Sequence, residues 1–202
     1  MCAADARGDW EGETMIGYIA LGIVVLLLLY LVAIYNRLVR LRALVREGWS
    51  GITVQLRRRA DLVPNLVATV EGYAKHEREL IEQVTAHRAD AIAAKGVDAT
   101  AKADAQMSGM LGRLVAVAEA YPELKADANF RQLQTELADI EEQLAGARRY
   151  YNATVRDLNT GVQSFPNVLI AGPMGFQEEA PYADDVAALQ TAPQVRFGTD
   201  AR

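Results

Sequence analysis

His76-Glu77 opens the pattern of a zinc metalloprotease helix, in which two histidines four residues apart hold the metal and the glutamate activates a water. The second histidine would have to stand at position 80, where the chain has Leu80. His87 lies eleven residues from His76, about 16 Å along a helix and too far to share an ion. Ser50, Ser108 and Ser164 fall in helical patterns, with no glycine elbow to present a nucleophile. Gly109 and Gly112 bracket three residues, and no lysine-bearing phosphate loop follows. These absences argue for a chain that is not an enzyme, needs no metal or other cofactor and takes no small-molecule substrate.

The remaining polar features suit contact rather than catalysis. Arg57-Arg58-Arg59 could dock an acidic partner or anionic lipid headgroups. Against that, arginines near a helix C-terminus are favoured by its dipole and can pair with nearby acids. Residue 58 also lies about 35 Å beyond residue 35 if the helix between them is straight, which weakens the lipid version. Arg148 and Arg149 have Glu141, Glu142 and Asp157 within two turns and read as a solvated ion-pair face. Asn152 and Asn159, seven apart beside an apolar seam, would set helix register if buried, with partner recognition as the rival. Trp49 falls on an apolar stripe and reads as core. Tyr182 and Phe197 are aromatics in a proline-containing, mostly polar tail without an obvious local core. The candidate partner contacts are therefore Arg57, Arg58, Arg59, Tyr182 and Phe197.

The elements that carry these residues begin with Met15–Tyr35, MIGYIALGIVVLLLLYLVAIY, a run without a charged side chain. As a helix it spans about 31 Å, enough to cross the hydrocarbon core of a bilayer, where backbone groups must pair within the segment. Asp5, Asp9, Glu11 and Glu13 precede it against Arg7, whereas Arg37, Arg40, Arg42 and Arg46 follow. That asymmetry predicts an outward N-terminus and a cytoplasmic remainder. The acidic leading end and the arginines where cleavage would fall argue against a signal peptide. Cys2 is the sole cysteine, so no intrachain disulfide can form, and a net charge of −5 gives no reason to expect nucleic acid. Residues 1–14 read as an extracytoplasmic extension, with Met15 an alternative start.

Beyond the run, apolar residues recur at steps of three and four, the mark of helices burying one stripe. Leu38, Leu41, Val45, Trp49, Ile52 and Leu56 continue the first helix. At Asp61 a new helix starts with Pro64 in its first turn, or Pro64 kinks one long helix. Leu66 through Val84 carry the pattern to about Lys95, Gly96 closes it, and Val97–Ala99 form a loop. An alanine-rich helix then runs to Tyr121-Pro122. The last helix is expected over 128–163, with Phe130, Leu133, Leu137, Ile140, Leu144, Ala147 and Tyr151 on one stripe. Val155, Leu158, Val162 and Phe165 continue that stripe after a stutter. The fold class is all-α: a single N-terminal transmembrane helix, an antiparallel bundle of three to four long helices over residues 36–165 and a mostly irregular tail over 166–202.

The run WSGITVQLRRRADLVPNLVATVEGYAKHE, Trp49–Glu77, resembles the signature of the LemA family. EAYPELKA at Glu119–Ala126, FRQLQTEL at Phe130–Leu137, ARRYYN at Ala147–Asn152 and APQVRF at Ala192–Phe197 extend the resemblance in order. Departures are Gly48 where alanine is more usual and Thr53 where an acid is often found. The resemblance implies a bacterial inner-membrane protein with one N-terminal anchor and a cytoplasmic helical bundle. It implies no catalytic residue. Some relatives are linked to membrane-protein quality control beside a membrane metalloprotease, others to building magnetosomes. The expected partners are the lipid bilayer through residues 15–35 and a membrane protein, or further copies of this chain as a homo-oligomer. The leading expectation is a non-enzymatic membrane-anchored adaptor or scaffold, and the alternative is a lipid-organising protein acting through assembly.

Overall fold

The uncharged run Met15–Tyr35 lies within one helix, α1 (Ala6–Tyr73), in a computed structural model that describes residues 6–74 and 76–182, with side chains from residue 15 onward. The run is long and apolar enough to cross a membrane, and its most apolar window has a mean hydropathy of 2.7 with no part of it buried by the rest of the chain. Five helices follow: α2 (Arg78–Ala93), α3 (Val97–Glu119), α4 (Pro122–Ala126), α5 (Ala128–Gln163) and α6 (Val168–Ala171). Among the described residues no strand forms. The all-α expectation, with one apolar N-terminal helix followed by helices that pack together, holds.

Boundaries differ where tertiary contacts outweigh local signals. Pro64 neither starts a helix nor ends one, since α1 continues to Tyr73. The chain instead breaks after Tyr73, one residue past Gly72, and Ala74 there is completely buried. Gly96 does not close α2, which ends at Ala93 with Ala94 extended. It is the N-cap of α3 at φ +81°, a left-handed conformation that favours glycine, so the loop expected over Val97–Ala99 is the first turn of α3. Tyr121 is extended before Pro122, as the proline requires, and Pro122 opens α4. Asp127 caps α5 by accepting from the Phe130 N–H at 2.9 Å, and α5 spans the expected residues.

The chain divides into two units: one holds residues up to Leu44 with Asp157–Glu179, the other Val45–Arg156 and the tail from Ala180. In the first, Ile34 and Leu38 of α1 pack with Ala171 of α6 and Phe176, flanked by Leu41, Val162 and Ile170. Gly161 permits the close approach of α1 and α5, because a Cβ there would stand 3.0 Å from Leu41. Asn167, buried, donates to the Gly161 carbonyl at 2.8 Å, one of those left without a partner at the end of α5.

In the second unit, Leu66, Val70 and Ala74 pack with Leu114, Ala118, Leu124 and Phe130. Beside them Val63, Val84, Met107 and Leu111 join α1, α2 and α3. Gly48 faces the α5 backbone, and a Cβ there would meet the Tyr151 Cα at 3.0 Å.

Candidate functional site

The three consecutive arginines have three different environments, all within the second unit. Arg57 is exposed and makes no hydrogen bond or ion pair with the described residues. Arg58 is exposed too and donates to Gln143 Oε1 at 3.0 Å and to Gln55 Oε1 at 3.4 Å. Arg59 is 3% exposed. It sits on the α1 stripe one step beyond Leu56, so its guanidinium points where an apolar side chain would be expected.

Burying that charge requires partners, because an uncompensated buried ion costs several kcal/mol (order of magnitude). Arg59 donates through Nη1 to Asp104 of α3, and through Nη2 to Glu141 of α5 and to Ser108 Oγ at 2.9 Å. Asp104, itself 3% exposed, also accepts from Arg148 Nη2 and from the Tyr182 hydroxyl at 2.7 Å. Arg148 approaches Glu141 as well, at 3.7 Å. Two cations thus face two anions, with Tyr182 donating a further hydrogen bond to one of them.

Tyr182 is held from every side. Its backbone N–H donates to Asn152 Oδ1 at 2.8 Å and its carbonyl accepts from Asn152 Nδ2 at 3.1 Å. Its ring lies 6.4 Å from Trp49 and beneath the Arg148 guanidinium at 5.4 Å. The Tyr151 hydroxyl donates to the Ala180 carbonyl at 2.9 Å. Burial, then the Asp104 carboxylate accepting from its hydroxyl, push the Tyr182 pKa well above the ordinary tyrosine range, with Arg148 opposing. Burial disfavours the Arg148 charge, but Asp104 outweighs it and leaves the guanidinium pKa raised.

Several sequence expectations change here. Arg59 and Tyr182 are interior residues whose partners lie in the same chain, since the tail segment 180–182 supplies part of this unit's packing. Arg148 is not on a solvated face but reaches inward to α3. Asn152 binds the tail backbone rather than setting register between helices. Asn159 does the same in the other unit, exchanging 2.9 Å hydrogen bonds with the Glu179 N–H and carbonyl. Phe197 lies outside the described residues. Asp104 went unnoticed in the sequence, yet a signal was present: it occupies the stripe Thr100, Asp104, Met107, Leu111, Leu114 and Ala118, where an acid must find a buried partner.

Next to this cluster, α1, the end of α2 and the start of α3 enclose a cavity of about 540 Å³. Trp49, Leu56, Ile92 and Met107 supply its apolar lining, and Arg57, Arg88 and Lys95 stand around it. Among the described residues Arg88 commits only its Nε, to the Ala60 carbonyl at 2.7 Å. Lys95, like Arg57, has no partner among the described residues. Asp61 is the one lining acid not committed to an arginine, and it makes no ion pair with the described residues. The cavity therefore presents three cations to one anion over an apolar floor. That arrangement places positive charge beside apolar surface.

Residues 48–197 match the sequence model of the LemA family. The chain belongs to the LemA family. The match begins at Gly48 and takes in the arginine–aspartate cluster, the cavity and Tyr182. Among similar proteins are the magnetosome protein MamQ of Magnetospirillum gryphiswaldense and the magnetosome protein MamQ 2 of Paramagnetospirillum magneticum. Each is 24% identical over 169 residues, covering 71% of this chain and 62% of the relative. Protein LemA of Metamycoplasma hominis is 26% identical over 132 residues, covering 64% of this chain and 60% of the relative. This LemA-family chain thus spans about three fifths of the length of the curated relatives it matches.

Proposed function

We propose that this LemA-family protein is a non-enzymatic, membrane-anchored adaptor that binds acidic segments of other membrane proteins in the cavity between α1, α2 and α3. The observation that carries the reading is the set of uncommitted cations, Arg57, Lys95 and the Nη groups of Arg88, around an apolar floor. A hydrogen-bonded charge in such a setting favours an anionic ligand, while Trp49 and Met107 supply contact area. Met15–Tyr35 is read as crossing the inner membrane with the N-terminus outside, because arginines accumulate after the run. Confinement to one membrane raises the effective concentration of any partner embedded in it.

The test is mild-detergent extraction of the tagged full-length protein, followed by mass spectrometry, compared with the Arg57→Glu/Lys95→Glu double variant. Both residues are exposed, so helix content by circular dichroism should be unchanged. A stoichiometric second protein, lost from the variant, supports the adaptor. No second protein with the unaltered chain, or one retained by the variant, contradicts it.

A second reading is a lipid-organising protein acting through assembly of copies. The magnetosome relatives favour it, as do exposed apolar side chains after α5. It predicts a large particle composed of this chain alone.

A further inference from the structure

The apolar stripe of α5 fails at its last member. Tyr151, Val155 and Leu158 are each at most 2% exposed, but Phe165 is 82% exposed. Val168, Leu169 and Met174 are exposed with it, at 50%, 66% and 37%. Water is a costly surrounding for four large apolar side chains within ten residues, and such a patch marks an interaction surface.

Three observations identify what covers it. First, the segment packs on the end of the uncharged run: Ile34, inside Met15–Tyr35, is buried against Ala171 and Phe176, and the Phe176 ring meets Tyr35 edge-on at 5.7 Å. Second, the chain from Leu158 to Gln177 contains no charged residue, so nothing in it resists leaving bulk water. Third, much of its backbone is paired internally. Val168 N–H donates to Ser164, Ile170 and Ala171 to Asn167, Met174 to Ile170 and Phe176 to Ala171, at 2.8–3.1 Å. Pro166 and Pro173 bring no N–H at all. A segment in a water-poor interface needs that self-sufficiency. Cations adjoin the segment along α1: Arg37 and Arg40 are exposed on the next turn, and Arg42 donates to the Gly175 carbonyl at 3.2 Å.

We propose that residues 165–174 are a second membrane contact, a turn-and-helix element that seats Phe165, Val168, Leu169 and Met174 in the bilayer interface beside the α1 helix. Arg37 and Arg40 then meet lipid phosphates at the same boundary. The inference rests on the reading that Met15–Tyr35 crosses the bilayer. It adds that the chain re-enters the same leaflet after α5, so the anchor has two parts and not one.

The test uses the full-length chain with Cys2→Ser, carrying a single cysteine at Leu169, Val168 or Leu27 labelled with an environment-sensitive fluorophore. The labelled proteins are placed in nanodiscs of phosphatidylcholine and phosphatidylglycerol, with and without lipids brominated near the headgroup end of the acyl chain. Leu27, in the middle of the uncharged run, reports the anchor itself. Expected are blue-shifted emission at Leu169 and Val168 and a marked loss of intensity with the brominated lipids, alongside apolar emission at Leu27. Water-like emission at both Leu169 and Val168, with Leu27 apolar, overturns the proposal and leaves the anchor standing. Blue-shifted emission there that brominated lipid does not quench overturns it too, because protein then covers the patch. Water-like emission at Leu27 overturns the anchor reading itself.

Discussion

Arg88 Nε donates to the Ala60 carbonyl at 2.7 Å. In an uninterrupted helix that carbonyl accepts from the residue four positions on, and here that residue is Pro64, which has no N–H. A side chain of α2 thus replaces the backbone donor that α1 lacks, and the helix passes through the proline. The Arg88→Met substitution keeps much of the stem and removes the donor. It should lower stability by about 1–3 kcal/mol, the cost of a buried carbonyl left without a charged donor. In a Pro64→Ala background the backbone N–H restored at position 64 serves Ala60 instead, and the same substitution should cost under about 1 kcal/mol. Denaturant titration of the four proteins in one detergent measures the coupling.

Asp104 holds Arg59, Arg148 and Tyr182 together. Asp104→Asn keeps the shape and removes the charge, leaving Arg59 buried with the half-exposed Glu141 as its remaining carboxylate partner. Breaking such a pair costs about 3–5 kcal/mol, so the variant should unfold at much lower denaturant than the unaltered chain. It should also release the tail at Tyr182, which limited proteolysis would detect as faster cleavage.

Two neighbouring glycines of α1 should respond in opposite directions. Gly51 has room for a methyl, its nearest neighbour being Ala147 Cβ at 3.9 Å from an added Cβ. Gly51→Ala should therefore stabilise by about 0.5–1 kcal/mol through helix propensity. Gly48 faces the Tyr151 backbone at 3.0 Å, and backbone cannot swing aside. Gly48→Val should destabilise by about 1–3 kcal/mol through overpacking. Thermal melts followed by circular dichroism give both signs.

Tyr182 links stability to alkaline pH. Its folded pKa lies above the unfolded value of 10.0, so the folded state keeps a proton that the unfolded state releases. Its contribution is fully present below pH 10 and declines as pH rises beyond that. Tyr182→Phe should be less stable at neutral pH, having lost the hydrogen bond to Asp104. It should also lose less stability than the unaltered chain between pH 10 and 11, measured by urea unfolding.

Much of this was legible in the sequence. The three-and-four spacing from Phe130 to Tyr151, continued through Val155, Leu158 and Val162, located α5, and the charge-free run from Met15 located the membrane-compatible part of α1. The break at Ala74 was hard to read, because Gly72 is a weak local signal and the packing of Ala74 against α3 and α5 comes from distant parts of the chain. Arg59, Asp104 and Arg148 could have been found had their stripe positions been weighed as evidence of mutual burial. The role of Tyr182 could not: its partners come from three separate stretches of chain, in α1, α3 and α5, and no local pattern links them. Asn152 shows the same limit, since a side-chain amide that pairs with a distant backbone looks like any other helix-surface asparagine.

The most direct test of the adaptor reading is site-specific photo-crosslinking in native membranes, with a photoreactive amino acid at Thr53 or Ile92 beside the cavity and at Gln132 on the exposed face of α5 as control. The account predicts an adduct with a second membrane protein from Thr53 and Ile92, absent from Gln132 and lost when Arg57 is changed to Glu. Adducts equal at all three positions, or none at the cavity, would contradict it.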